Sequence, residues 1–231
     1  MPTPRRPLAV LVTLFIAAGF TAAPASAEPV ITITFVRHAE SEANAAGVID
    51  TSVPGPPITP KGEQQAKEAA AALSRTPHDG IYASPIIRTQ QTAQPLADEL
   101  GEQVTVLPGL REIEAGVYEG RSDADAINGY FQPLRQWLAD DRLARIPESI
   151  DGNEFDARFD ESVDAIYRSS QQRPVAFSHG AALSMWTMMN VRNPRPELVE
   201  SQPLTNTGHV IVEGSPADGW TLLDWNGTKI D

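Results

Sequence analysis

The sequence contains no cysteine. Disulfides, thiol nucleophiles, thiolate metal sites and cysteine-linked lipid anchors are thereby excluded. A domain of this length carries its stability on its core, so the missing disulfides leave every compartment open. Histidine is scarce, with four in 231 residues, and neither these nor the carboxylates fall at a metal-binding spacing, so no metal and no cofactor is expected. Positive charge is also short: 18 Lys and Arg face 30 Asp and Glu, a net charge of −12. Such a surface disfavours nucleic acid and anionic membrane as partners. The apolar stretch Leu8 to Ala23 is shorter than the roughly 20 residues that span a bilayer, and Gly19 and Thr21 weaken it. It lies between Arg5-Arg6 and Ala25-Ser26-Ala27, the charged, apolar, small-residue order of a secretory signal peptide. We expect residues 1–27 to be cleaved after Ala27, leaving an exported, extracytoplasmic single domain over 28–231 with no membrane attachment.

What remains alternates strands and helices. Ile31 to Val36 crowds β-branched and aromatic residues with no turn former, then runs into Arg37-His38. Thr59-Pro60 reads as an N-cap with proline at the first helical position, and Ala66, Ala69, Ala70 and Leu73 keep helical spacing. Ile81 to Ala83 is a short strand, and Ser84-Pro85 repeats the cap-then-proline signal ahead of Arg88. Pro95 should kink or interrupt the helix that follows. Val104 to Leu107 and Pro174 to Ser178 are further strands, the second delivering His179-Gly180 and a helix apolar nearly all round. Residues 208–213 and 220–225 form a terminal hairpin. This order predicts an α/β fold: a three-layer αβα sandwich whose mostly parallel sheet carries helices on both faces, with a small helical lid insertion over 121–170.

Each strand leads into something reactive: Arg37-His38, then Ser84 and Arg88, then Glu112, then His179. In a parallel sheet these junctions share one edge, so residues distant in sequence converge on one crevice. Two arginines, two histidines and a carboxylate around a cleft suit a tetrahedral dianion. Guanidinium forks match phosphate oxygens, imidazole is both nucleophile and donor, and a carboxylic acid can protonate a leaving oxygen.

Arg37-His38-Ala39-Glu40-Ser41-Glu42-Ala43-Asn44 resembles the Arg-His-Gly-Glu-Ser-x-x-Asn signature of the histidine phosphatase superfamily, in its phosphoglycerate-mutase-like branch. Four further blocks follow in register: Ile58 to Ala66, Tyr82-Ala83-Ser84-Pro85 with Arg88 to Ala93, Leu110-Arg111-Glu112 with Gly116 and Glu119-Gly120, and Phe177-Ser178-His179-Gly180. The resemblance implies metal-independent hydrolysis of a small phosphate monoester through a phosphohistidine on His38. Arg37, Arg88 and His179 would hold the equatorial oxygens, Asn44 would donate a further hydrogen bond, and Glu112 would act as general acid and then base. Ser84 would touch the phosphate loop if it is not simply a helix cap. Asn206 belongs to an Asn-Thr pair near the family's site and would orient His179. The alternatives are a phosphoglycerate mutase-type transfer and a catalytically inactive phospho-ligand-binding module.

The family glycine after the nucleophile is Ala39, whose methyl would narrow the pocket, or shift the loop if that residue needs a positive φ. Glu114 competes with Glu112 for the acid role, and spacing from Leu110 favours Glu112. Arg121, Tyr130, Arg135 and Arg142 are candidates to grip a distal anion.

Overall fold

A computed structural model describes Met1 and residues 28–122, 124–125 and 129–230; the expected signal peptide lies outside the described residues. Among these, seven strands form one sheet: β1 (Ile31–Arg37), β2 (Ile81–Ala83), β3 (Val104–Val106), β4 (Val175–Ser178), β5 (His209–Ser215), β6 (Gly219–Trp225) and β7 (Thr228–Lys229). Their spatial order is β3-β2-β4-β1-β5-β6-β7. The α/β expectation holds, with the sheet divided evenly. Pairings among β3, β2, β4 and β1 are parallel, and those from β1 through β7 are antiparallel. The terminal hairpin supplies the antiparallel half.

Period-two alternation in β1 divides the core between the two faces. Ile31, Ile33 and Phe35 enter the larger cluster, while Val36 enters the smaller one with Ile81, Ala83, Val175 and Phe177. The smaller cluster is covered by α2 (Pro60–Leu73) and α3 (Ile87–Leu100), whose buried Ala66, Ala70, Ala93 and Ala97 let the two helices approach closely. The larger is covered by α5 (Gly152–Arg168) and α6 (Gly180–Asn190). Its centre is aromatic. Phe159 stacks on Trp186 at 5.3 Å and meets Phe35 and Phe155 at tilted angles.

Local signals were met with two differences. Thr59 caps α2 as read, its hydroxyl accepting from the Gly62 amide, and Asp151 closes a capping box with Glu154 on α5. The helix after β2, however, starts at Ile87 rather than at Ser84-Pro85, and the Ser84 hydroxyl accepts from the Ile86 amide and meets His179. Pro95 does not interrupt α3, which runs on to Leu100. The residues around it, Thr92, Ala93, Leu96 and Ala97, are buried, and that packing outweighs one forgone backbone bond.

The 121–170 stretch divides in two. Helix α5 is part of a core layer, with Phe155, Phe159, Val163 and Ile166 buried, whereas α4 (Phe131–Leu138) stands at the edge of a cavity. Two short helices complete the set, α1 (Glu42–Ala46) and α7 (Glu197–Ser201). Among the described residues no helix is long and apolar enough to cross a membrane.

Removing the central aromatic tests this account of the core. Phe159→Ala should destabilise the fold by about 3–5 kcal/mol, read as a lowered urea midpoint at unchanged m-value.

Candidate active site

The site lies where the parallel half of the sheet ends. β1 and β4 are neighbours, so their C-terminal ends present His38 and His179 side by side, with ring centroids 5.2 Å apart. β2 adds Ser84 and Arg88 from the far side of β4. β5 runs antiparallel to β1, so the residues preceding it, Asn206 and Thr207, reach the same edge. The loop after β3 brings in Glu112.

His38 is 4% exposed and its tautomer follows from its partners. Nδ1 lies 2.7 Å from the Ala39 carbonyl, which can only accept, so Nδ1 carries the hydrogen. Nε2 is then the bare nitrogen, and it accepts from Arg88 Nε at 3.1 Å. His179 is arranged the other way. Arg88 Nη2 donates to its Nδ1 at 3.2 Å, which leaves the hydrogen on Nε2, donated to Ser84 Oγ at 2.7 Å. Burial, then Arg88, pushes both imidazoles well below the ordinary histidine value. Both rings are therefore neutral at neutral pH.

Arg88 is 3% exposed and held in place by the Asp50 carbonyl, which accepts from Nη2 at 2.9 Å. Its Nη1 has no hydrogen-bond partner among the described residues. Arg37 Nη1 donates to the Leu204 carbonyl, and the guanidinium lies across Gly180 at the start of α6. A Cβ there would sit 3.2 Å from Arg37 Nε, so glycine makes room for the cation.

Glu112 sits on the N-terminus of α6. Its carboxylate accepts from the amides of Ala181 and Ala182, and from its neighbour Ile113. Those bonds favour the charged form, yet burial outweighs them and raises the pKa above the usual glutamate value. Arg158 of α5 pins the loop by donating to the carbonyls of Gly109, Arg111 and Glu112. Glu114 instead pairs with Arg111 and Arg158 and does not line the cavity.

The cavity, about 910 Å³, is lined at its inner end by Arg37, His38, Asn44, Arg88 and Glu112. The remaining residues singled out from the sequence stand behind that wall. His179 and Ser84 are fully buried and reach the cavity through Arg88. Ser84 is thus a partner of His179 rather than a helix cap. Among the described residues Asn206 makes no hydrogen bond to His179. It donates to the His38 carbonyl at 3.1 Å and to Asn44 Oδ1 at 3.2 Å. Asn44 Oδ1 also accepts from the Ser41 amide in a capping box, so the remaining capacity of Asn44 is donation.

Ala39 is accommodated. It is absent from the residues with positive φ, is fully buried outside the cavity, and its amide donates to Thr92 Oγ1. Of the distal candidates, Tyr130 and Arg135 line the cavity, Arg142 is bound to Asp156 and the Met189 carbonyl, and Arg121 lies elsewhere. Sequence reasoning missed Asp50 and Thr92, which act through a carbonyl and an interior hydroxyl, and the wall formed by Pro196 to Leu204. No composition signal marks a backbone acceptor. Among the described residues no group of three or more His, Asp or Glu is arranged to hold a metal ion.

The family model described as Histidine phosphatase superfamily (branch 1) matches residues 33–228. The PE-PGRS family protein PE_PGRS11 of Mycobacterium tuberculosis (strain H37Rv) is 41% identical over 216 residues, covering 87% of this chain, which spans 37% of that relative's length. A probable phosphoglycerate mutase, GpmB of Enterobacter sp. (strain 638), is 35% identical over 155 residues, 65% of this chain and 70% of the relative. Among solved structures, the phosphoserine phosphatase of Entamoeba histolytica in complex with 3-phosphoglyceric acid superposes with a TM-score of 0.69 at 24% identity, covering 86% of this chain and 98% of that one. At that identity the likeness is one of fold.

The two tautomers are directly checkable. Imidazole ¹⁵N–¹H spectra at pH 6.5 should show His38 as the neutral Nδ1–H form and His179 as the neutral Nε2–H form, and Ser84→Ala should perturb only the second strongly.

Proposed function

The chain belongs to branch 1 of the histidine phosphatase superfamily, and from that membership we propose that it hydrolyses phosphate monoesters without a metal, through a phosphohistidine on His38. The observation that carries this reading is the bare His38 Nε2 at the inner end of the cavity, with Arg37, Arg88 and Glu112 on the same wall.

An entering phosphoryl group draws Arg88 Nε off Nε2 and onto its own oxygens, which frees the lone pair. Nε2 then attacks phosphorus as the P–O ester bond breaks opposite, and the departing oxygen takes the proton of Glu112. Arg37, Arg88 and Asn44 offset the charge on the equatorial oxygens. His179 and Ser84 hold Arg88 in position, and Asn206 holds the His38 carbonyl and Asn44. In the second half the Glu112 carboxylate removes a proton from water, whose oxygen attacks phosphorus as the N–P bond breaks, releasing phosphate and restoring both residues. The Nδ1–H bond to the Ala39 carbonyl supports the imidazole as it becomes positive. Export after cleavage at Ala27 is part of the same proposal.

Relatives of this chain include a mutase-named protein. Against transfer within one phosphoglycerate, the acid loop reads Glu112-Ile113-Glu114-Ala115-Gly116, which departs from the Glu-Arg-His-Tyr-Gly of the mutases.

The enzyme should release phosphate from p-nitrophenyl phosphate in excess chelator, and His38→Ala should abolish turnover and the acid-labile phosphoprotein trapped on quenching. With 3-phosphoglycerate, 2-phosphoglycerate forming in place of free phosphate would favour the mutase. The pH profile follows from the two shifts. His38 must be neutral and titrates well below 6.5, while Glu112 must be protonated and titrates above 4.5. The rate should therefore peak on the acid side of neutrality and fall as rising pH strips Glu112. Glu112→Gln should remove that falling limb and lower kcat by about 10²–10⁴.

A further inference from the structure

The cavity is far larger than a phosphoryl group requires, and its outer part has one chemical character. Beyond the catalytic end its wall is apolar, with Ile49, Phe131, Leu134, Leu138, Met185 and Val199 contributed by the loop after α1 and by α4, α6 and α7. A three-carbon phosphate ester of about eleven non-hydrogen atoms, at a water-like ~30 Å³ each, would fill roughly a third of the volume.

Most polar side chains on the wall already have partners inside the protein: the Tyr130 hydroxyl donates to the Ile113 carbonyl, and one Asp50 oxygen accepts from Ser52. The Ser41 hydroxyl accepts from the Asn44 amide, Thr51 Oγ1 donates to Glu119 and accepts from the Ala115 amide, and Ser184 Oγ donates to the Gly180 carbonyl. Sugar hydroxyls placed there would meet few open partners. A distal carboxylate fares no better. Outside the catalytic end the lining cation is Arg135, and Glu200 across the mouth meets it at 2.9 Å. Both side chains are exposed, at 51% and 71%, so this pair reads as a solvated rim over an apolar interior.

Resting on the phosphatase reading above, we propose that the substrates are phosphate monoesters of long aliphatic alcohols, with the phosphate held at His38 and the chain lying along α4 and α7. Three features favour a flexible chain over a rigid ring system. The apolar wall is continuous with the phosphoryl site, so a single chain reaches from one to the other. Met185 is unbranched and adapts to an occupant of variable shape. Phe131 is 36% exposed at the cavity edge, an apolar side chain left partly in water that a chain would cover.

The test is a homologous series on the unmodified full chain: ethyl, butyl, hexyl and octyl phosphate below their micelle thresholds, beside 3-phosphoglycerate and phosphoserine, scored by phosphate release. The expected kcat/KM rises about threefold per methylene from butyl onward and puts octyl phosphate at least a hundredfold above either three-carbon acid. Phe131→Glu and Val199→Glu, at partly exposed positions, should cut the octyl-to-ethyl ratio at least tenfold, while Phe131→Leu preserves it. A flat series, or preference for 3-phosphoglycerate or phosphoserine, overturns the chain-binding proposal and leaves the phosphatase standing. Phosphate release from none of these esters, or from p-nitrophenyl phosphate, overturns the phosphatase reading and this proposal with it.

Discussion

One guanidinium between two imidazoles sets the terms for everything around it. Arg88 can only donate, so each ring must turn an unprotonated nitrogen toward it, His38 with Nε2 and His179 with Nδ1. Each ring's other nitrogen then keeps its hydrogen and needs an acceptor, which the Ala39 carbonyl and Ser84 Oγ supply. Burial would disfavour an imidazolium in any case, and the cation at contact distance makes that preference firm. Two imidazoles that stay neutral at neutral pH follow from this arrangement.

The same constraint accounts for the surroundings of Arg88. A buried cation needs fixed acceptors, and here they are a main-chain carbonyl and two neutral rings rather than a carboxylate. A carboxylate partner would cancel the charge that Arg88 now presents at the inner end of the cavity. Glu112, on the wall of the same cavity, is held instead by amides at the start of α6. The protein is acidic overall, yet Arg37 and Arg88 place two cations at this inner end of the cavity.

A polar, charged end and an apolar wall share one space. The inner end is built by strand ends and rigid loops clamped by Arg158, and the outer wall by short helices that contribute side chains and little hydrogen bonding.

Much of this was legible in the residues alone. β-branched runs ending in Arg37-His38 and Ser178-His179 named the strands and the edge they share, since a strand's side chains alternate and its end has nowhere to go but the rim. Thr59 and the apolar spacing of Phe155, Phe159 and Val163 announced their helices for equally local reasons. Three things depended on the fold. Ser84 looked like a cap until a ring from 95 positions away met its hydroxyl; Pro95 looked like a break until buried neighbours carried the helix through it; and the cavity wall combined residues near 49, 131, 185 and 199, whose apolar character in sequence is that of any core. Local order is set by backbone sterics and periodicity within a few residues, so the chain by itself determines it. Which hydroxyl meets which imidazole, and which apolar side chains are left facing a space rather than each other, is decided only when distant segments pack.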